Sequence, residues 1–305
     1  MQDFKYFKKI ISKNILFMMI LVLLLVGVSE RIVNLMVAND SYVLDRNKSI
    51  FRILREPENS VDIIVLGDSL GMTSISPMAW WGDYGMTGYV CGQTGQRMQE
   101  AFHMLQAAYE TQSPKLVILE TNMVFRCKNL SSEVKDCLGE IGYRYIPIFQ
   151  GHDIWKSMLS EKQYPAENYK GFAFRCETVP YEQGEYMQKN DQKEEISKIV
   201  SFYLEKIRKL CEKNGTKLLL VSTPSPINCN YARHNSIQAY AREKGLDFLD
   251  LNLKTEEIGI NWKTDSLDNG DHLNYSGADK VTRYLGNYLT QNYTFPDHRG
   301  EKTYR

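Results

Sequence analysis

Three hydrophobic patterns run along the chain, and each predicts a different element. From Ile15 to Val28 the residues are apolar on every side, and beyond Ser29–Arg31 a further apolar stretch continues to Ala38. Together they make a helix long enough to cross a bilayer. Short runs of a second kind are apolar throughout or nearly so: "VDIIVLG" at 61–67, "GYVC" at 88–91, "KLVILETN" at 115–122, "KLLLVSTPSP" at 217–226 and "LDFLDLN" at 246–252. These predict strands. The third kind repeats at helical spacing. "GQRMQEAFHMLQAAYETQ" sets Met98, Phe102, Leu105 and Ala108 on one face. "EEISKIVSFYLEKIRKLCEKNG" is amphipathic and stops on Gly215, and further helices are expected over 232–245 and 275–293.

Strands apolar throughout and separated by helices predict a mostly parallel sheet covered on both faces, a three-layer α/β/α domain. Ligands of such sheets sit beyond the carboxyl ends of the strands. That rule places Ser69, Gly92 to Gly95, Asn122, Thr223 and the segment around His272 along one rim. The expected organisation is a cytoplasmic tip and signal anchor over 1–38, a stalk or first wrapping segment over 39–60, the α/β domain over 61–291 and a tail over 292–305. Residues 126–190, aromatic and Gly-containing, interrupt the alternation and read as an insertion over the rim, a lid or acceptor-side wall.

Charge adds to this picture mainly at the N-terminus. Lys5, Lys8, Lys9 and Lys13 precede the apolar helix, and the positive-inside rule then puts the N-terminus in the cytoplasm and everything after Ala38 outside it. No small-x-small cleavage site follows, which favours an uncleaved anchor over a removed signal peptide. Overall, 37 Lys and Arg balance 37 Asp and Glu. Without a basic stripe, nothing suggests nucleic acid. Six cysteines include no CxxC pair and no Cys/His cluster at zinc spacing. Neither a metal nor a cofactor is expected, while Cys127 and Cys137 are near enough in sequence to pair outside the cell.

The stretch "DIIVLGDSLG" at 62–71 ends a strand abruptly on Gly67, Asp68 and Ser69. A serine hydroxyl there either caps the next helix or acts as a nucleophile. A nucleophile needs a base, and that base needs an orienting partner. Of five histidines, His103 falls inside a helix, His234 at a helix start, His298 in the tail and His152 in the insertion. His272, in "DSLDNGDHLNYSGA", has Asp265, Asp268 and Asp271 nearby and stands just before the last helix. Gly270 allows the loop to fold Asp268 back under the imidazole, so Asp268 is preferred to the adjacent Asp271.

"GDSL" after a buried strand, with an Asp/His pair before a C-terminal helix, resembles the SGNH/GDSL hydrolase superfamily over about residues 61–291. The resemblance implies an SGNH-like, flavodoxin-like sheet. It makes Ser69 the nucleophile and His272 the general base. Its oxyanion hole would use the Ser69 backbone N–H, Gly95 or Gly92 from "GQTGQ", and Asn122 from "ETNMVF". Two positions depart from the family pattern. The third block keeps only the Asn, and the residue three before His272 is Asn269 where the family has an acid. Asp68 and His152 are further candidates for substrate contact. "STPSPINCNYARHNSI" and "HLNYSGADKVTRYL", with the anchor, are similar to membrane-tethered SGNH proteins that partner membrane-bound O-acyltransferases, the D-alanyl transfer proteins being broader relatives. That implies an acyl esterase or O-acyltransferase acting on a cell-surface glycan or acylated polymer. A lipase or lysophospholipase is the second reading, and a catalytically silent glycan-binding scaffold subunit the third.

Overall fold

The computed structural model describes residues 2–38, 48–126, 130–145, 149, 169–301 and 304. Five strands form one sheet: β1 (Ile63–Gly67), β2 (Gly88–Gly92), β3 (Leu116–Glu120), β4 (Lys217–Ser222) and β5 (Asp247–Asp250). Their order is β2-β1-β3-β4-β5, with every pair parallel. The chain leaves β1 toward one edge and returns past it to the other. The crevice where the order reverses therefore opens at the carboxyl ends of β1 and β3.

Side chains alternate across a strand, so each apolar run feeds two cores. Ile64, Leu66, Tyr89, Val117, Leu119, Leu218 and Leu220 face one side. There they pack against α5 (Met98–Ala108), α7 (Lys198–Lys213) and α8 (Tyr231–Lys244). Ile63, Val65, Val90, Ile118, Leu219 and Val221 face the other, under α4 (Pro77–Tyr84) and α9 (Tyr275–Asn292). These are the three layers the pattern predicts. Two helices are cut to length by their caps. The Ser197 hydroxyl accepts from Val200 N to start α7, and Gly245, at φ 65°, ends α8 in the left-handed region.

The first helix, α1, spans Gln2–Ala38, about 55 Å at 1.5 Å per residue. Its side chains from Ile15 to Val26 are exposed, and Lys13–Ala38 is long and apolar enough to cross a membrane. It has the character of a single-pass anchor on a separately folded α/β unit. Its last turns do pack: Ile32, Val33, Met36 and Val37 meet Ile50, Phe51 and Ala107. Phe51 belongs to α2 (Lys48–Ile53), whose Ile53 enters the main core.

The C-terminal tail also docks. The Tyr304 hydroxyl accepts from Gly88 N at 2.9 Å and His298 Nε2 meets Asp62 at 2.8 Å, both at the amino ends of β1 and β2. Beyond the edge strand β2, Lys170 O accepts from Val90 N at 2.8 Å, and Lys170 Nζ pairs with the buried Glu56 at 2.8 Å. The free edge is thereby covered.

Candidate active site

The serine sits at the turn that the sequence marks. Gly67 ends β1 so tightly that a Cβ there would lie 3.1 Å from Gly71 Cα and 3.2 Å from Glu120 Cβ. Asp68 then takes the cap of the short helix α3 (Ser69–Ser74), accepting from Leu70 N at 2.9 Å. Capping thus falls to the acid, and Ser69 is left with its hydroxyl free to turn to the rim.

That hydroxyl meets His272. Ser69 Oγ lies 2.8 Å from His272 Nε2, across 203 residues of sequence. On the other side of the ring, Nδ1 is 2.7 Å from Asp268 Oδ2, and the His272 backbone N–H donates to Asp268 Oδ1 at 2.7 Å. A small hairpin creates this pairing. Ser266 bridges Leu273, and Leu267 N donates to His272 O at 2.9 Å, leaving Asn269 and Gly270 as a two-residue loop. Both have positive φ, 60° and 88°, the signature of a type I′ turn. Asn269, which stands where the family pattern has an acid, is therefore the turn residue that lets the acid one place earlier reach the imidazole.

Asp271, the alternative, lies 3.7 Å from Nδ1 and accepts from Asn228 Nδ2 at 2.5 Å. Asp268, Asp271 and His272 bring their ligand atoms within 4.8 Å of one another, but both imidazole nitrogens are already engaged by Ser69 and Asp268.

The remaining candidates divide by location. The Asn122 amide is held from both ends: Nδ2 donates to Asp68 Oδ2 at 2.8 Å and Oδ1 accepts from Arg233 at 3.4 Å. One N–H of Nδ2 is left for another acceptor. Gly95 occupies the turn after β2 with φ 66° and open space where a Cβ would stand. Gly92 is packed instead, since a Cβ there would meet Met72 Cγ at 2.8 Å and Gly67 O at 2.9 Å. Asp68, expected to touch substrate, is fully buried. Its carboxylate is taken by Leu70 N, Asn122 and Arg126, so its place is to position neighbours. His152 and Cys127 lie outside the described residues, and with them the expected substrate contact and disulfide. Of the other histidines, His103 is buried within α5 and His234 pairs with Asp250 at 2.8 Å.

A polar layer beneath the site escapes sequence reading. Arg233 makes two bonds to Glu194, at 2.9 and 3.0 Å, and donates to Asn228 O at 2.5 Å. Its partners span up to 111 residues of sequence, and no local pattern announces them. Glu120 does leave a trace, as an acid closing an apolar strand. It is fully buried, accepting from Asn122 N at 3.1 Å and from the Thr223 hydroxyl at 3.3 Å. Burial, reinforced by the Asp68 charge, pushes its carboxyl well above the usual carboxylate range.

The described part of the insertion follows the rim. Ala173 N donates to Met72 O, Val179 N to Ser266 O and Tyr275 N to Arg175 O. Exposed Phe174 and Tyr275 stand with ring centroids 4.8 Å apart, Tyr275 three residues beyond His272.

No family model matches the chain, and no curated protein does. Among solved structures the chain is similar to a GDSL-like lipase from Bacteroides thetaiotaomicron, at 12% identity and a TM-score of 0.37 over 75% of this chain and 87% of that one. It is also similar to TesA, at 13% identity and a TM-score of 0.39 over 75% of this chain and 98% of that one.

Proposed function

We propose that the chain is a membrane-anchored serine acyl esterase or O-acyltransferase that acts outside the cytoplasm on cell-envelope polysaccharide. The observation that carries this reading is the continuous line of hydrogen bonds from Ser69 Oγ through His272 to Asp268. Ser69 Oγ adds to an acyl carbonyl while its proton passes to His272 Nε2. The tetrahedral intermediate collapses, the bond to the leaving oxygen breaks, and that oxygen takes the proton from His272. A sugar hydroxyl or water then gives up its proton to the same nitrogen and attacks the acyl-serine; the ester bond to Ser69 breaks, and Ser69 Oγ takes that proton back from His272. Asp268 fixes the ring tautomer and stabilises the imidazolium.

The developing oxyanion would be received by the Ser69 backbone N–H, the Gly95 N–H and the remaining N–H of Asn122. Each such donor lowers the barrier by about 3 kcal/mol. Gly95 suits this place better than Gly92, which is packed against Met72. The exposed Phe174 and Tyr275 rings, tilted 47° to each other, offer aromatic surface to a sugar ring. The anchor, entered from a basic flank, keeps the serine near the membrane, where a membrane-bound O-acyltransferase would present an acyl donor.

A fluorophosphonate probe tests the nucleophile, with labelling expected in the parent chain and lost in Ser69→Ala. A silent scaffold would label in neither. Release of acetate from p-nitrophenyl acetate, compared with acetyl transfer to an oligosaccharide, separates esterase from transferase. Preference for long-chain lipid esters over both would establish the lipase reading instead.

A further inference from the structure

Helix α6 (Leu130–Tyr145) is amphipathic the wrong way round for a soluble protein. A surface helix normally buries its apolar stripe and turns its charges to water. Here Asp136 and Arg144 face inward, while Lys135 stays exposed. Asp136 pairs with Arg97 at the start of α5, and Arg144 pairs with Glu110 just past its end. Val134, Leu138 and Ile141 recur at the four- and three-residue steps of one helical face, and they are 47%, 65% and 42% exposed. Phe149, 50% exposed, extends that face by lying 3.5 Å from the Cβ position of Gly142.

The anchor reaches the domain on the same helix that α6 packs against. The exit of α1 packs through Met36 against Phe51 and Ala107. Ala107 is in the last turn of α5, and α6 lies along that same helix. The Arg144–Glu110 pair sets the Ile141 end of α6 beside the anchor's exit. The Asp136–Arg97 pair sets the Val134 end beside the loop that follows β2, at the rim. The stripe therefore runs from the point where the chain leaves the membrane toward the site.

We propose that the outer face of α6 lies in the headgroup region of the bilayer, as a second, interfacial attachment beside α1. An inward ion-paired face and an outward apolar face are what a helix between a protein and a lipid surface requires. Two attachments, one at the last turn of α5 and one running along it toward the rim, hold the rim at the membrane, where a tether alone would let the domain swing. This inference is independent of the catalytic reading, since it uses no residue of the Ser69 site.

The test uses the full chain reconstituted in phosphatidylcholine vesicles, with acyl chains brominated near the headgroup to quench tryptophan. Leu138→Trp and Ile141→Trp are compared with Leu253→Trp, which is exposed after β5 at the far edge of the sheet. The four native tryptophans give a common background, measured on the parent chain. The expected result is added quenching at 138 and 141 at least twice that at 253. Equal quenching at all three positions overturns the proposal. So does quenching at 138 and 141 that stays low while those positions cross-link to a second copy or to another protein. Near-ultraviolet circular dichroism matching the parent's confirms that each variant is folded, and with two positions read independently, failure of one to fold leaves the other to decide.

Discussion

Asp268 grips His272 twice, accepting from the backbone N–H with one oxygen and facing Nδ1 with the other, each at 2.7 Å. Both contacts come from a residue four positions earlier, and the two-residue turn between them makes the reach possible. The acid therefore fixes the loop and the ring together.

Removing the charge of Asp268 separates these effects. Asp268→Asn keeps an acceptor for the backbone N–H but no longer enforces the Nδ1–H tautomer. Acyl turnover is expected to fall by about 10³–10⁴-fold. Asp271→Asn alters a half-exposed carboxylate 3.7 Å from the ring, and a change below about fivefold is expected. Steady-state rates of the two variants decide the matter; a larger loss at Asp271 would reassign the orienting acid.

Gly270 is held by geometry on two counts. Its φ is 88°, and a Cβ would stand 2.7 Å from the Tyr181 ring, which is itself packed edge-on to Trp262 at 6.0 Å. Gly270→Ala is expected to lose about 2 kcal/mol from left-handed strain alone, with more from displacing Tyr181. Urea unfolding measures the stability. Fluorophosphonate labelling rate reports whether His272 has moved from Ser69, and it should fall in parallel.

Glu120 is predicted to hold its proton to higher pH in the folded protein than in the unfolded chain. Its folded pKa is raised by burial and then by Asp68. Folding therefore takes up a proton, and the stability this gives is full below the ordinary carboxylate range and is lost as pH rises through the folded value. Glu120→Gln should match the parent near pH 5 and exceed it increasingly at alkaline pH. Glu120→Ala leaves Asn122 N and the Thr223 hydroxyl without their acceptor, at a cost of about 1–3 kcal/mol. Urea midpoints across pH for the three proteins check both expectations.

What the sequence shows of this site follows from how local each signal is. The break at Gly67–Asp68–Ser69 and the acids around His272 are each contained within a few residues, and the parallel sheet then brings the two distant segments to one rim. Asn269–Gly270 is a local turn signal too, and it explains why an acid four residues before the histidine serves. Side-chain direction is another matter. That Asp68 points inward depends on Asn122 and Arg126, more than 50 residues away. Arg233 reaches Glu194 across 39 residues and Asn122 across 111. In the same way "KSIFRI" is too short to declare itself a helix, and only Phe51 and Ile53 finding the core makes it one.

The docked tail gives a pH-dependent contribution far from the active site. Partial burial lowers the pKa of His298, but the carboxylates of Glu301, at 2.9 Å, and Asp62, at 2.8 Å, outweigh that and raise it above its usual value near 6.5. A histidine whose folded pKa is raised stabilises the fold fully below its unfolded value, and the contribution is lost as pH rises through the folded one. The parent protein is therefore expected to lose this contribution as pH rises from the unfolded value through the folded one. Glu120 loses stability in the same direction, so the parent's slope alone does not isolate His298. The decisive measurement is the difference between parent and His298→Gln, which keeps a hydrogen-bonding side chain but cannot titrate. That difference should shrink as pH rises. If it holds constant from pH 6 to pH 9, His298 carries no extra proton in the folded state, and the tail is held by bonds that do not titrate there: Tyr304 to Gly88, His298 N to Gly85 O and Trp81 Nε1 to His298 O.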